Sequence, residues 1–160
     1  MKKYLRIIFI FFVFLSFVSG VYAIENKPAP DFQLQDLSDK PVFLSDYKGK
    51  GVILFFWTTW CPYCRDELRA LEQENPVLSR AGVEVLAINV GEPRHKVENF
   101  IKSRDLSFRV LLDKDSTVAG AYQLMGVPTY YVVNRSGEIV SAGNHFPQDA
   151  LKVLIPASTS

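Results

Sequence analysis

Two cysteines separated by two residues are the most reactive feature of the sequence. Cys61 and Cys64 are the only thiols in a chain of 160 residues. A disulfide between them would close a very short loop, which constrains the unfolded chain little. A zinc site needs about four ligands, and the two histidines, His95 and His145, are far apart in sequence. Covalent haem attachment requires histidine where Arg65 stands. The spacing therefore predicts reversible thiol–disulfide chemistry.

The segments on either side of the cysteines predict how the pair is positioned. Val52–Trp57 is a continuous apolar run, typical of a central strand buried on both faces. A helix should begin beside Cys61, with Pro62 in its first turn. The unpaired N–H groups and the positive dipole end of that helix favour the thiolate of Cys61. We therefore expect Cys61 to be the exposed attacking thiol and Cys64, one turn further on, to be the more buried resolving thiol.

Glu67 is the acidic residue whose position could matter for this chemistry. It follows Cys64 by three residues and therefore lies on the same helical face. One interpretation is that Glu67 accepts the proton of Cys64 when that thiol resolves a mixed disulfide. The other is that it is a solvated acid that complements the helix dipole.

The rest of the chain alternates strand and helix patterns, which predicts an α/β fold. We expect a central mixed sheet flanked by helices, with an N-terminal β-hairpin. The predicted strands are Asp31–Leu37, Pro41–Leu44, Val52–Trp57, Val83–Val90, Phe108–Leu112, Thr129–Val133 and Glu138–Ala142. After the first helix, which should end at Gly82, the predicted helices are Pro93–Arg104, Ser116–Tyr122 and Gln148–Leu154.

The first 23 residues have the three-part layout of a secretory signal peptide. Lys2, Lys3 and Arg6 precede the apolar stretch Ile7–Val18, and Val21-Tyr22-Ala23 offers small residues at a cleavage site. Without cleavage, Ile7–Val21 would serve as an N-terminal anchor; a buried helix of a cytosolic protein is the third interpretation. We expect residues 1–23 to be a signal peptide or anchor, and residues 24–160 to form one periplasmic or otherwise extracytoplasmic domain.

Charge and composition narrow the class of protein. Hydrophobic residues make up 48% and charged residues 22% of the chain, which excludes intrinsic disorder. The leader holds three basic residues and no acidic one, so the formal charge falls from +1 to −2 without it. A domain with this balance has no electrostatic reason to bind nucleic acid.

Several motifs occur in the order found in one family. They are Ala29-Pro30-Asp31-Phe32, Leu44-Ser45-Asp46-Tyr47-Lys48-Gly49-Lys50, Phe56-Trp57-Thr58-Thr59-Trp60-Cys61, Ile88-Asn89-Val90-Gly91-Glu92 and Gly126-Val127-Pro128-Thr129. Because it has these motifs in order after such a leader, the sequence resembles the TlpA/ResA group of exported thioredoxin-like thiol-disulfide oxidoreductases. The resemblance implies a thioredoxin-like fold in which Pro93–Leu112 is an inserted helix-strand unit. It also implies a reductase of selected protein disulfides, often those of apocytochrome c.

The resemblance also assigns roles to residues near the cysteines. Pro128 matches the cis-proline that lies opposite the cysteine pair and leaves the backbone of Val127 free to pair with an extended substrate. Trp60, Pro62 and Tyr63 would line the contact surface. The alternatives are that Pro128 is an ordinary trans proline opening a strand and that Trp60 is a core residue.

Two acidic positions bear on proton transfer. Glu67 matches the acidic residue that this group carries after its second cysteine. Soluble thioredoxins carry a buried aspartate six residues before the first cysteine, where this chain has Phe55. The absence of that acid strengthens the interpretation of Glu67 as the proton acceptor.

The expected partners are protein thiols and disulfides, including apocytochrome c, and a membrane electron donor. We expect a monomer with no metal and no cofactor other than the redox-active pair Cys61–Cys64.

A disulfide oxidase or isomerase is an alternative, since the Pro-Tyr dipeptide between the cysteines does not fix the direction of electron flow. A peroxiredoxin-like antioxidant is a further alternative. Thr58 stands three residues before Cys61, as in that class of protein, but Leu54 occupies the position at which the class requires proline. A copper-binding chaperone would use His145, although the cysteine spacing is one residue too short.

Overall fold

A computed structural model describes residues 26–104 and 106–154. The predicted leader Met1–Ala23, with its anchor segment Ile7–Val21, lies outside the described residues. Within the described ranges, none of the helices combines the length and hydropathy needed to cross a membrane.

The described chain forms one mixed sheet with helices packed against it. The strands are β1 Lys27–Pro28, β2 Gln33–Asp36, β3 Pro41–Phe43, β4 Gly51–Trp57, β5 Val83–Val90, β6 Arg109–Asp113, β7 Thr129–Val133 and β8 Glu138–Gly143. The helices are α1 Pro62–Arg80, α2 Arg94–Ile101, α3 Thr117–Ala121 and α4 Gln148–Leu154, and a short 3-10 helix spans Leu44–Tyr47. The strand order is β1-β8-β7-β4-β5-β6-β2-β3. Only β4, β5 and β6 pair in parallel, and the other pairs described are antiparallel.

This architecture confirms the predicted α/β class, the N-terminal hairpin of β2 and β3 and the inserted unit of α2 and β6. Two details differ. Strand β1 has no counterpart among the predicted strands, and it pairs with Glu138 and Ile139 of β8. Helix α2 is shorter than predicted at both ends, and Pro93 is its N-cap residue.

Strand β4 lies at the centre of the sheet and separates two apolar layers. Ile53, Phe55 and Trp57 face one layer, and Val52, Leu54 and Phe56 face the other, all almost without solvent exposure. Fully burying one such side chain contributes roughly 1.5–3 kcal/mol. The end of β4 is therefore held firmly in place, and with it the connection to the cysteines.

Helix α1 packs on the first of these layers through residues at helical spacing. Cys64, Leu68, Leu71 and Leu78 are buried against the sheet. The helix ends at Arg80, and Gly82 follows with a positive φ of 74°, a conformation that glycine adopts readily. The predicted start and end of this helix are confirmed.

Candidate active site

Cys61 is the N-cap residue of α1. Its sulfur accepts a hydrogen bond from the backbone N–H of Cys64 at 3.2 Å. Its thiol donates to the carbonyl oxygen of Val127 at 3.7 Å. The sulfur thus sits where helix N–H groups lack intrahelical partners, and it can accept a hydrogen bond from one of them.

The expectation that Cys61 is exposed is wrong for the reduced protein, in which both cysteines are free thiols. Its relative exposure is 3%, because the sulfur turns toward the helix N-terminus and the Val127 carbonyl. The neighbouring aromatic residues Trp60 and Tyr63 are 63% and 75% exposed. The interpretation of Trp60 as a core residue is therefore wrong, and an exposed aromatic side chain directly precedes each cysteine in the chain.

Cys64 is fully buried, with both cysteines present as free thiols. Burial, followed by a hydrogen bond with Cys61, raises the pKa of Cys64 to about 12, although a backbone hydrogen bond from Thr58 acts in the opposite direction. The negative charge of Glu67 makes a smaller contribution in the raising direction. At neutral pH Cys64 is therefore a thiol, and it needs a base before it can act as a nucleophile.

Glu67 faces the protein interior. Its side chain is 16% exposed, whereas that of the preceding Asp66 is 74% exposed. One carboxylate oxygen, Oε2, accepts a hydrogen bond from the hydroxyl of Tyr130 at 2.8 Å. The other oxygen, Oε1, lies 3.5 Å from Nδ1 of His145. The alternative of a solvated surface acid is therefore wrong, and the carboxylate lies on the same side of α1 as Cys64.

Phe55 fills the position at which soluble thioredoxins carry a buried acid. It pairs with Tyr130 across β4 and β7, and the two rings stack with centroids 4.6 Å apart. Tyr130 extends its hydroxyl to Glu67, so these two residues supply the polar groups near Cys64 that Phe55 lacks. Burial, and then the hydrogen bond to Glu67, raises the pKa of Tyr130, which keeps its hydroxyl neutral. Sequence reasoning missed Tyr130, although alternation along β7 places it on the face that packs against α1.

The segment opposite the cysteines has the expected geometry. The Val127–Pro128 peptide bond is cis, so the alternative of a trans proline is wrong. Val127 and Pro128 are both half-buried, and the Val127 carbonyl contacts Cys61 directly. Pro62 is exposed in the first turn of α1. Of the residues predicted to line a contact surface, Val127 contacts the Cys61 sulfur, and Trp60, Pro62 and Tyr63 are exposed positions next to the cysteines in the chain.

Glu92 is a buried acid that sequence reasoning recorded only as part of a motif. It is 4% exposed. It accepts hydrogen bonds from the backbone N–H and the hydroxyl of Thr59, at 2.6 and 2.7 Å, and from Asn89 at 2.8 Å. Lys96 Nζ lies 2.7 Å from the same carboxylate. Burial acts to raise the pKa of Glu92, but the hydrogen bonds, led by that of Lys96, lower it overall. This carboxylate fixes the short connection between β4 and Cys61.

The copper-binding alternative gains no support from the geometry. His145 is 92% exposed and its near neighbour is Glu67. Across the described ranges, no three His, Cys, Asp or Glu side chains gather as metal ligands would.

The two thiols should differ strongly toward an alkylating reagent. We expect Cys61 to be modified in large excess at neutral pH, because it lies at the N-terminus of α1, whereas the pKa of Cys64 is raised to about 12. Modification of Cys64 should appear only as the pH approaches that value. Mass spectrometry of peptides from reduced, pulse-labelled protein measures both sites, and denatured protein, in which both thiols react, is the control. Equal labelling of native protein at neutral pH would contradict the assignment.

Known proteins share the sequence pattern and the fold of this chain. Residues 26–142 match the AhpC/TSA family. The chain is 42% identical over 141 residues to thiol-disulfide oxidoreductase ResA of Bacillus subtilis, covering 85% of this chain and 79% of that protein. It is also 42% identical over 114 residues to ResA of Geobacillus kaustophilus, covering 71% of this chain and 66% of that protein.

A solved structure extends the similarity to the fold. The protein assigned as thiol:disulfide interchange protein DsbE of Chlorobium tepidum superposes with a TM-score of 0.74 at 29% identity, covering 82% of this chain and 95% of that one. This similarity confirms a thioredoxin-like fold, and the relatives confirm the resemblance noted from the motifs. The chain therefore belongs to the AhpC/TSA family and, within it, to the ResA group of thiol-disulfide oxidoreductases.

Proposed function

We propose that this protein is an exported reductase that transfers electrons from the pair Cys61–Cys64 to selected protein disulfides. The observation that carries the proposal is the arrangement of the two thiols. Cys61 caps α1 beside the Val127 carbonyl, and Cys64 lies buried with a raised pKa behind it. The layout of the leader supports export.

The first step is nucleophilic attack by Cys61. Its thiolate, favoured by the helix N-terminus, attacks one sulfur of the partner's disulfide. A new S–S bond forms between Cys61 and that sulfur. The partner's original S–S bond breaks, and its other sulfur leaves as a thiolate that takes a proton from solvent.

The second step resolves this mixed disulfide. Glu67 takes the proton of Cys64, and the electron pair left on the Cys64 sulfur forms a bond to Cys61. The mixed S–S bond breaks, and the partner's second sulfur leaves as a thiolate. The partner has gained two electrons, and the protein holds a Cys61–Cys64 disulfide that a membrane electron donor must reduce.

The partner would be bound as an extended segment next to the cis-proline. The backbone of Val127 is positioned for strand-like pairing beside the attacking sulfur. Trp60 and Tyr63, with Met125, which is fully exposed, offer apolar contacts around it. The substrate class is therefore an accessible protein disulfide, and the resemblance of the chain to its family favours that of apocytochrome c.

The protonation state of Cys64 supports electron transfer from this protein to its partner. Strong oxidants of this superfamily owe their potential to a reduced form that is stabilised relative to the disulfide. A buried Cys64 thiol with a raised pKa is not stabilised as an anion at neutral pH. The reduced pair therefore gains no stabilisation from a Cys64 thiolate, as a reductase requires.

The redox potential of the Cys61–Cys64 pair tests the direction of electron transfer. We expect a value near the thioredoxin value of about −270 mV and far from the DsbA value of about −120 mV. Equilibration of the protein with dithiol–disulfide buffers, followed by quantification of the two thiols, measures it. A potential near that of DsbA would contradict the reductase and favour the oxidase or isomerase alternative.

A further inference from the structure

We propose that Tyr130 is a positioning residue for the resolving step. Its buried hydroxyl holds one oxygen of the Glu67 carboxylate so that Glu67 can take the proton of Cys64. This inference rests on the proposed function, in which Glu67 is the proton acceptor.

The ring of Tyr130 is held from two sides. Tyr130 has no solvent exposure, and it stacks on Phe55 at a centroid distance of 4.6 Å. Phe146 meets it edge-on at 6.3 Å, with the two ring planes 89° apart. Because the ring is packed in this way, the direction of its hydroxyl is fixed. The hydroxyl donates to Glu67 Oε2 at 2.8 Å, although the two residues lie 63 positions apart in the chain.

The hydroxyl of Tyr130 is a suitable hydrogen-bond donor for Glu67, a base that must gain and lose a proton. Burial, and then the hydrogen bond to Glu67, raises the pKa of Tyr130, so the hydroxyl stays neutral. A neutral donor stabilises the carboxylate without forming an ion pair, so Glu67 can still accept a proton. The described titratable groups that face Glu67 are Cys64 from α1, Tyr130 from β7 and His145 from the segment after β8.

The two oxygens of Glu67 have different surroundings. Oε2 is held by Tyr130 in the interior, whereas Oε1 lies 3.5 Å from His145, whose side chain is 92% exposed. The carboxylate is thus fixed through one oxygen in the interior, and its other oxygen lies beside an exposed side chain. In the resolving step the proton moves from the Cys64 sulfur to Glu67 and leaves toward solvent. The electron pair stays on sulfur and forms the bond to Cys61.

Removing the hydroxyl of Tyr130 tests this role. In Tyr130→Phe we expect resolution of the mixed disulfide to slow about tenfold, the effect of losing one hydrogen bond to a charged group. Attack by Cys61 should change less than about twofold, since the ring and its packing remain. The acidic limb of the pH–rate profile of resolution should move up by about one pH unit, because the carboxylate loses a donor that favours its charged form. Stopped-flow and quenched reactions across pH measure both steps.

A matched control lies next to it on the same strand. The hydroxyl of Tyr131 donates to the carbonyl oxygen of Tyr122 at 2.6 Å, and its ring packs against the other layer of the sheet. Tyr131→Phe removes the same atom from the same strand and should leave both steps unchanged. Site-specific 3-fluorotyrosine at position 130, a stronger donor, should move the acidic limb to lower pH. This second variant keeps every hydrogen bond and guards against a folding defect in Tyr130→Phe.

A double-mutant cycle separates this inference from the function on which it rests. Tyr130→Phe should have no further effect on resolution when Glu67→Gln is already present. If Glu67→Gln slows resolution and Tyr130→Phe does not, or if the two effects add, the role of Tyr130 is overturned while that of Glu67 stands. If neither substitution slows resolution, the proposed role of Glu67 fails, and the role of Tyr130 fails with it.

Discussion

Replacement of Cys61 by serine is expected to abolish reduction of protein disulfides, with a loss of at least about 10³-fold in turnover. The hydroxyl of serine has neither the acidity nor the nucleophilicity of a thiol, and the buried Cys64 cannot take over the attack. Cys64→Ser should behave differently. It should retain the first attack and stop at a mixed disulfide between Cys61 and the partner.

Single-turnover reactions with a model protein disulfide measure this difference. Acid-quenched samples should contain a covalent adduct for Cys64→Ser and none for Cys61→Ser, and the double serine variant is the control. Comparable turnover by Cys61→Ser, or an adduct formed through Cys64, would reverse the assigned order of the two thiols.

The substitution Glu67→Gln should slow resolution of the mixed disulfide by about 10²–10⁴-fold, the usual contribution of a placed proton acceptor. The amide keeps the shape of the side chain but cannot take the proton of Cys64. That thiol has a pKa raised to about 12 by burial and by its hydrogen bond with Cys61, so it ionises rarely without help at neutral pH. The first attack should stay nearly intact, since it uses the helix N-terminus.

The neighbouring acid provides a matched control. Asp66 carries the same charge one residue earlier, but its side chain is 74% exposed and pairs with Arg69. Asp66→Asn should therefore leave resolution unchanged, which separates a local proton transfer from a general loss of negative charge. Stopped-flow kinetics of both steps, with titration of Cys64, provide the measurement. Unchanged resolution in Glu67→Gln would show that the buried carboxylate has no part in the reaction.

The elements that carry the cysteines could be predicted closely from local patterns. Strands β5 and β7 have the predicted bounds, and β4 starts one residue early, because long apolar runs between turn signals define buried strands. Strand β1 was missed because it is two residues long and depends on pairing with β8, about 110 positions along the chain. Helix α2 ended early because the polar residues after Ile101 have little apolar surface to pack.

The cysteine pair and Glu67 could be identified from residue types and spacing, and Pro128 from the resemblance to the family, but their environment could not. The burial of Cys61 depends on the Val127 carbonyl, 66 positions away. The partner of Glu67 is Tyr130, and the partner of Thr59 is Glu92, 33 positions away. Local spacing within one helix cannot reveal contacts made across the sheet, which explains why Tyr130 and Glu92 were missed.

The central step of the proposed function is exchange of Cys61 with disulfides of exported proteins. The direct measurement is to express the full chain with Cys64→Ala, quench cells with acid and alkylating reagent, and identify covalent partners of Cys61 by mass spectrometry. We expect reducible adducts with a small set of exported proteins that contain paired cysteines, and none in the Cys61→Ala, Cys64→Ala control. Adducts confined to cytosolic proteins, or no adduct above the control, would contradict it.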